Sequence, residues 1–417
     1  MTNPLLPQEI MEVLQALRPV FHASSWESFL YLVTGLLLGQ AQAGIVRASL
    51  FAPEGYNWRR LHAFLRRNRW SETGLMVALI GMVLSVLYPD GFPAHLFWVL
   101  DQTYLEKVYA QAIERVMVHR RPHPKTGQGR KLKGHGLMTI AHLYQQSTHR
   151  LKAFLLGGLL YFKQATFVEL SQQLVRILPL PTEAHNVFVT DRGLTSIKLA
   201  KTIRAEGAYS LGRVKGNACF YLPATKEDYK GIGRRPTYGK KLRADAALVN
   251  EQPPVKMPIP LDGKLVIGCV WRGSFLRKGF QDPVDLIRVE VKGCKPWLLM
   301  LTDPTLETEQ AIWAYYGRAQ IEVAISEAKS LGLDAYRGRR ESGIKRWPMI
   351  IGTVHSLLQL IAVGALNLAL PAQNWPWYRK ENTVGAIQRR LIWELLRRHF
   401  FNLLRRKQKP TEIPRAA

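Results

Sequence analysis

Two apolar runs, HLFWVLD at 95–101 and NVFVTD at 186–191, limit the folds open to this chain more than any other stretch of it. Each has the length and composition of a buried strand rather than a helix, and each closes on an aspartate. GLMTIAHLY (136–144) and RLKAFLLGGLLYF (150–162) between them read as two further strands joined in a hairpin. FVELSQQLVRIL (167–178) carries apolar residues at helical spacing, and TSIKLAKTIRAEG (195–207) is a helix with a glycine stop. AYSLGRVKG (208–216) returns to strand. Three strands, a helix, a strand, a helix and a strand make a mixed α/β layer.

The flanks differ in kind. Residues 1–94 read as a helical domain that ends at the turn-rich PDGFPAH (89–95). Within it, Arg59, Arg60, Arg66, Arg67 and Arg69 interleave with Trp58, Phe64 and Trp70, a pattern that suits phosphate contacts and equally suits a solvated helix face. The first part of the α/β core spans 95–216 and includes a basic loop, HRRPHPKTGQGRKLKGHG, in which His135 reads as a loop residue. Residues 217–304 are rich in Gly, Pro and basic residues around short strand-like runs (KLVIGCVW, DLIRVEVKG, PWLLMLTD), and form a β-rich insertion. The core resumes over 305–370, opening with one long helix to about residue 331 that has acids in its first turns. The remainder, 371–417, is a tail holding a basic amphipathic helix.

Charge narrows the function. Across 417 residues, 58 Lys and Arg against 31 Asp and Glu leave a net charge of +27, which points to a polyanionic partner. Cys219, Cys269 and Cys294 form no C-x-x-C pair, so neither a disulfide framework nor a structural zinc site is expected, and a cytoplasmic location is. The first residues lack a secretory pattern. The stretches 73–88 and 349–370 are apolar, but the first is short for a bilayer and the second carries His355, Gln359 and Asn367. Both are expected as core helices, with no membrane association.

The chemistry sits in the carboxylates. Asp101 and Asp191, each read as ending a strand, can be presented side by side at the sheet edge. Hard divalent cations such as Mg²⁺ take oxygen ligands of this sort, and a pair of ions can activate an attacking oxygen while stabilising a leaving one. Each aspartate alone is more often an ordinary turn or cap. A third element strengthens the case. In YYGRAQIEVAISEAK (315–329), Tyr315, Arg318, Glu322 and Lys329 fall on one helix face, within an arc of roughly 60°. Glu322 can complete a metal site while Arg318 and Lys329 hold phosphates. Glu327 lies roughly 120° away on the same wheel. The same face would also serve as a solvated surface laced by an Arg318–Glu322 pair.

The spacing Y-x2-R-x3-E-x6-K resembles the signature of bacterial insertion-sequence transposases of the DDE type, in particular the families numbered 4 and 701. The contexts WVLDQT, VTDRG, GRRPTYGKKLR and PWLLMLTDP strengthen the likeness, which covers roughly 95–360. Ala319 and Gln102 depart from residues common in that family, and neither is a metal ligand. The resemblance implies an RNase H-like mixed-sheet core interrupted by the β-rich insertion. It further implies two Mg²⁺ ions, replaceable by Mn²⁺, held by Asp101, Asp191 and Glu322 as the catalytic set. Tyr315, Arg318 and Lys329 would contact the transposon end. Trp297 would stack on a displaced base, or be an ordinary core tryptophan. The implied activity is cut-and-paste movement of double-stranded DNA ends into target DNA by a homodimer at the bacterial nucleoid. Three other readings compete: a catalytically inactive descendant that still binds DNA, a nuclease on the same core, and a membrane protein with basic loops.

Overall fold

The computed structural model describes residues 6–39, 44–52, 56–107, 112–122, 129–147, 150–162, 165–229, 231, 233–248, 253–371 and 383–407. Helices α1 (Gln8–Gln15), α2 (Ala23–Leu38), α3 (Ile45–Ser49), α4 (Trp58–Arg66) and α5 (Glu72–Leu87) come first. Next are β1 (His95–Glu106), β2 (Met117–Pro122), β3 (Gly129–Ser147), β4 (Arg150–Tyr161), α6 (Phe167–Ile177), β5 (His185–Thr190), α7 (Ile197–Ala205) and β6 (Tyr209–Arg213). The strands β7 (Cys219–Pro223), β8 (Tyr238–Arg243), β9 (Val255–Leu261), β10 (Lys264–Phe275), β11 (Val284–Glu290) and β12 (Trp297–Leu301) follow. The remaining helices are α8 (Thr308–Gly317), α9 (Gln320–Ser330), α10 (Glu341–Val363) and α11 (Val384–Lys407).

The chain divides into two compact units. One is 90–111 with 115–326, and the other joins 1–89, 112–114 and 327–417.

The first unit is built on a ten-stranded sheet. β3 runs antiparallel to both β4 and β1, and β5 and β6 then continue parallel to β1 and to each other. α6 and α7 make the crossovers. α6 starts with a reciprocal capping box between Thr166 and Glu169, and α7 starts on the Ser196 hydroxyl. This strand order, with its helical crossovers, is an RNase H-like core. The strands of the β-rich region extend the same sheet: β12 pairs with β6, and β11, β10 and β9 follow outward. A separate two-stranded ribbon, β7–β8, brings Phe220, and the residues just after it bring Ala244, Ala247 and Leu248, into one core cluster with Phe275, Leu286, Leu298 and Met300.

Three expectations change. The basic loop is largely a hairpin arm, because β2 pairs with the first residues of β3; residues 123–128 of that loop lie outside the described residues. His135 is therefore a fully buried strand residue. The long helix after β12 is two helices, α8 and α9, separated by a turn at Arg318–Ala319, where Ile321 and Glu322 bond back three residues instead of four.

The second unit is helical. α10 buries 18 of its 23 residues, and packs against α2, α4, α5 and α11. The apolar stretches 73–88 and 349–370 become α5 and α10, and no described helix is long and apolar enough to cross a membrane. Of the 371–417 tail, only 371 and 383–407 are described, the latter containing α11.

Candidate active site

β1 and β5 are parallel in a register that sets Leu100 beside Thr190. The next residue in sequence after each is an aspartate, so the parallel register brings Asp101 and Asp191 to neighbouring positions. They are held differently. β5 ends at Thr190, whereas β1 runs on to Glu106, so Asp101 lies within its strand and faces Thr139 of β3. The strand end expected there is absent because β3 keeps pairing with β1 after β5 has turned away. A register shift in the β3–β4 pair falls beside Ile140, opposite Gly157 at φ 133°. Such bulges re-aim a strand near its functional residues, and only glycine adopts that φ freely.

Asp191 closes a turn. Its Oδ1 accepts the backbone N–H groups of Gly193 (3.0 Å) and Leu194 (2.9 Å), and its carbonyl accepts the Thr195 hydroxyl at 2.6 Å. The Thr195 hydroxyl also meets that of Thr190 at 2.9 Å. A Cβ on Gly212 of β6 would stand 2.2 Å from the Thr195 oxygen. The glycine is what leaves room for the turn.

Glu322 comes from α9. Arg318 joins it to the first aspartate: Nη1 lies 3.7 Å from Asp101 Oδ2, and Nη2 lies 3.3 Å from Glu322 Oε1. Asp101 also accepts the Gln102 N–H at 2.8 Å. Its carboxyl is pushed up to about 6, first by burial, with Gln102 and Arg318 pulling it down and the charges of Asp191 and Glu322 adding to the rise. The three acids thus share one electrostatic neighbourhood, although Glu322 itself is exposed (63% for its side chain) and Asp101 is not (14%).

The donor set is oxygen only, with more negative charge than one arginine offsets. That fits a hard divalent cation. Asp101, Asp191 and Glu322 are the residues that would hold it.

The other expected residues are placed unevenly. Tyr315 on α8 meets Trp297 on β12 edge-to-face at 5.9 Å, and both are partly buried. Lys329 is two turns beyond Glu322 on α9 and belongs to the helical unit. Glu327 faces elsewhere: its carboxylate meets His355 Nε2 at 3.3 Å and caps Val384 N–H at 3.3 Å.

One cluster escaped sequence reasoning. His95, His185 and Asp303 each bring a ligand atom within 4.8 Å of the others, the one such group among the described residues. Asp303 Oδ2 meets His185 Nδ1 at 3.0 Å and His95 Nε2 at 3.4 Å, while Oδ1 accepts from the Thr305 hydroxyl and N–H. Burial pushes the Asp303 carboxyl up, but the bonds from Thr305 and His185 outweigh it and hold it below the usual range. His95 and His185 are register partners at the opposite ends of β1 and β5 from the aspartates. The signal was available, since each histidine precedes its aspartate by the same six residues. The network ties β1 and β5 to the loop after β12. Its imidazoles set it apart from the all-oxygen group.

An RNase H-like sheet with acids on β1, just after β5 and on the helix behind the inserted strands is the arrangement of the DDE class of proteins. The chain belongs to the transposase DDE domain family, whose model matches residues 125–357, more than half of the sequence. The match includes Asp191, Trp297, Tyr315, Arg318, Glu322 and Lys329, and begins after Asp101. No curated protein matches the chain significantly. The protein is a DDE-type transposase, and proteins of this kind use divalent metal ions and act on DNA.

Proposed function

We propose that this transposase binds the double-stranded ends of an insertion sequence and cuts and joins them, with Asp101, Asp191 and Glu322 as the metal-holding catalytic set. The observation that carries the reading is Arg318, whose single guanidinium reaches both Asp101 and Glu322 while Asp191 is Asp101's neighbour across the parallel register. Mg²⁺ or Mn²⁺ ions, two in the reading favoured here, supply Lewis acidity at the scissile phosphate. The protein does the rest by position. Asp191 is fixed by its turn, so its free oxygen has one direction. Arg318 is placed to neutralise charge that builds on the phosphate. Tyr315 and Trp297 offer rings for a base displaced from the duplex, and Lys329 a contact to the end's phosphates.

In the first step, water attacks a phosphodiester at the element's end, leaving a 3′ hydroxyl and a 5′ phosphate. In the second, that hydroxyl attacks a target phosphodiester, forming a new P–O bond as the old one breaks. Two copies acting together, one per end, suit this sequence of steps, and the DNA of the bacterial nucleoid is its setting.

The test uses labelled DNA carrying the native element's ends, with Mg²⁺, with Mn²⁺ and with EDTA. Wild type cuts and joins only with metal. Asp191→Ala and Glu322→Ala bind the ends but lose at least about a hundredfold in rate. Wild-type rates in either variant would show that the chemistry lies elsewhere. Tight binding without cleavage by all three proteins, under both metals, would favour the inactive descendant.

A further inference from the structure

We infer that an arginine-lined cavity in the helical unit binds the sugar–phosphate backbone of double-stranded DNA. The inference rests on the reading that DNA is this protein's substrate, and adds where one contact is made.

The cavity, of about 630 Å³, is bounded by Arg59 and Arg66 of α4, by Arg67 just after it, and by Arg337, Arg339 and Arg340 of the segment before α10. Among the described residues, no acid lines it. Arg340 is engaged by Glu114 at 2.9 Å, and Glu114 also caps the Glu341 N–H at 2.7 Å. None of the other five forms an ion pair among the described residues, and all five are exposed. Five guanidinium groups with no ion pair among the described residues surround one hollow, and their like charges repel one another.

The backbone beneath them is nonetheless fixed. The carbonyl of Arg66 accepts the Ser342 hydroxyl at 3.2 Å, and Arg346 donates to the carbonyls of Leu65 and Trp70 at 3.0 and 2.6 Å. The ring of Tyr336 stacks on Trp347 at 5.4 Å and meets His62 at 5.7 Å. Gly338 and Gly343 close over that ring so tightly that a Cβ on either would stand 2.1 or 1.9 Å from its hydroxyl. These contacts tie the two arginine-bearing walls together against their mutual repulsion. Held cations with no ion-pair partner among the described residues mark a site prepared for an anion.

The size and shape say which anion. Arg59 and Arg66 are two helical turns apart, about 10 Å, a distance over which one DNA strand presents about three charges. A lone phosphate would leave most of this cavity unfilled. Guanidinium forks match phosphodiester oxygens in bidentate pairs. Trp58, 43% exposed on the same wall and carrying the Arg59 guanidinium 5.6 Å from its ring centre, provides a flat apolar surface for a sugar.

The experiment measures affinity of the full chain for fluorescent duplexes, one with the native element's end and one unrelated, across a salt series. The variants are R59Q/R66Q/R337Q and R67Q/R339Q, each beside its Arg→Lys counterpart; Arg340 is kept because it serves Glu114. Circular dichroism verifies folding, and the second set decides if the first does not fold. Removing one arginine–phosphate pair lowers the slope of log K against log salt by about 0.9, so the glutamine variants bind both duplexes more weakly and with slopes lower by about 2 to 3. The lysine variants keep most of the slope. Unchanged slope and affinity in both glutamine sets, with wild type binding, overturns the cavity and leaves the transposase reading intact. A wild type that binds neither duplex overturns both. Tighter holding of RNA or of anionic vesicles than of duplex, abolished in the same variants, assigns the cavity to another polyanion and likewise overturns the proposal.

Discussion

Arg318 shows how one side chain can set a site's geometry. Its guanidinium is mostly buried, so its contact with the buried Asp101 is weakly screened, whereas its contact with the exposed Glu322 is open to solvent. His142 shows the opposite case, a titratable group that serves the fold. It is fully buried on β3, with Nδ1 3.1 Å from the Phe97 carbonyl and its ring 5.2 Å from Trp98. Burial lowers its pKa to about 4, with the Phe97 bond opposing. A histidine with a depressed folded-state pKa is neutral in the fold, and the unfolded chain binds more protons between that value and its ordinary 6.5. Stability is therefore lost as pH falls through this window, by about 2 kcal/mol between pH 7 and pH 5 from this residue alone. Urea titrations of wild type and His142→Gln at the two pH values check it: the variant's loss on acidification is smaller by about that amount. At this scale the sequence was informative about identity and weaker about setting. The helical wheel separated Glu322 from Glu327, and Glu327 does face His355. No wheel shows that Arg318 reaches across to Asp101, because that contact joins residues more than two hundred positions apart.

At the scale of elements, the strands around the two aspartates were legible because each is a short apolar run with its own stop. What could not be read was how far a strand continues once a neighbour sustains it. β1 crosses Asp101 and the polar residues after it because β3 supplies hydrogen-bond partners, and the basic loop becomes a hairpin arm for the same reason. The break between α8 and α9 is likewise invisible to a periodic pattern, since Arg318 and Ala319 keep a near-helical course. β6 shows how an element can serve a residue it does not carry. Gly212 yields space to Thr195, which holds the Asp191 turn. Gly212→Ala is expected to cut the cleavage rate by about tenfold to a hundredfold, because the turn moves by a fraction of an ångström or more, while the melting temperature falls by only a few degrees. Single-turnover cleavage beside a thermal melt separates the two effects; an unchanged rate would mean that the turn tolerates the extra carbon.

For the whole molecule, the fold groups stretches that are separate in the sequence. The region 217–304 reads as an insertion by composition, yet its strands β9–β12 are contiguous with the core sheet through β6. The helices before residue 90 read as a domain of their own, but they pack with α10 and α11 from the other side of the chain. The pattern cannot reveal such pairing, because an amphipathic helix does not encode which partner covers it. It follows that a fragment of residues 90–417 leaves the faces of α10 that meet α2, α4 and α5 uncovered. We expect it to aggregate when expressed alone and to be recovered in solution when residues 1–89 are supplied on a second chain. Sedimentation of the fragment with and without its complement tests this, and a monodisperse fragment on its own would contradict it.

The split of the helical unit also bears on the order in which a ribosome makes the protein. Residues 1–89 emerge first, and at ordinary elongation speeds they wait roughly 10 to 50 s for the segment beginning at 327. Translation that stops early yields Asp101 and Asp191 without Glu322, and the arginines of α4 without those of 337–340. A chain that stops before residue 322 lacks the third acid of the proposed set, and one that stops before 340 lacks part of the second wall of the cationic hollow, so both are completed only within the last quarter of synthesis.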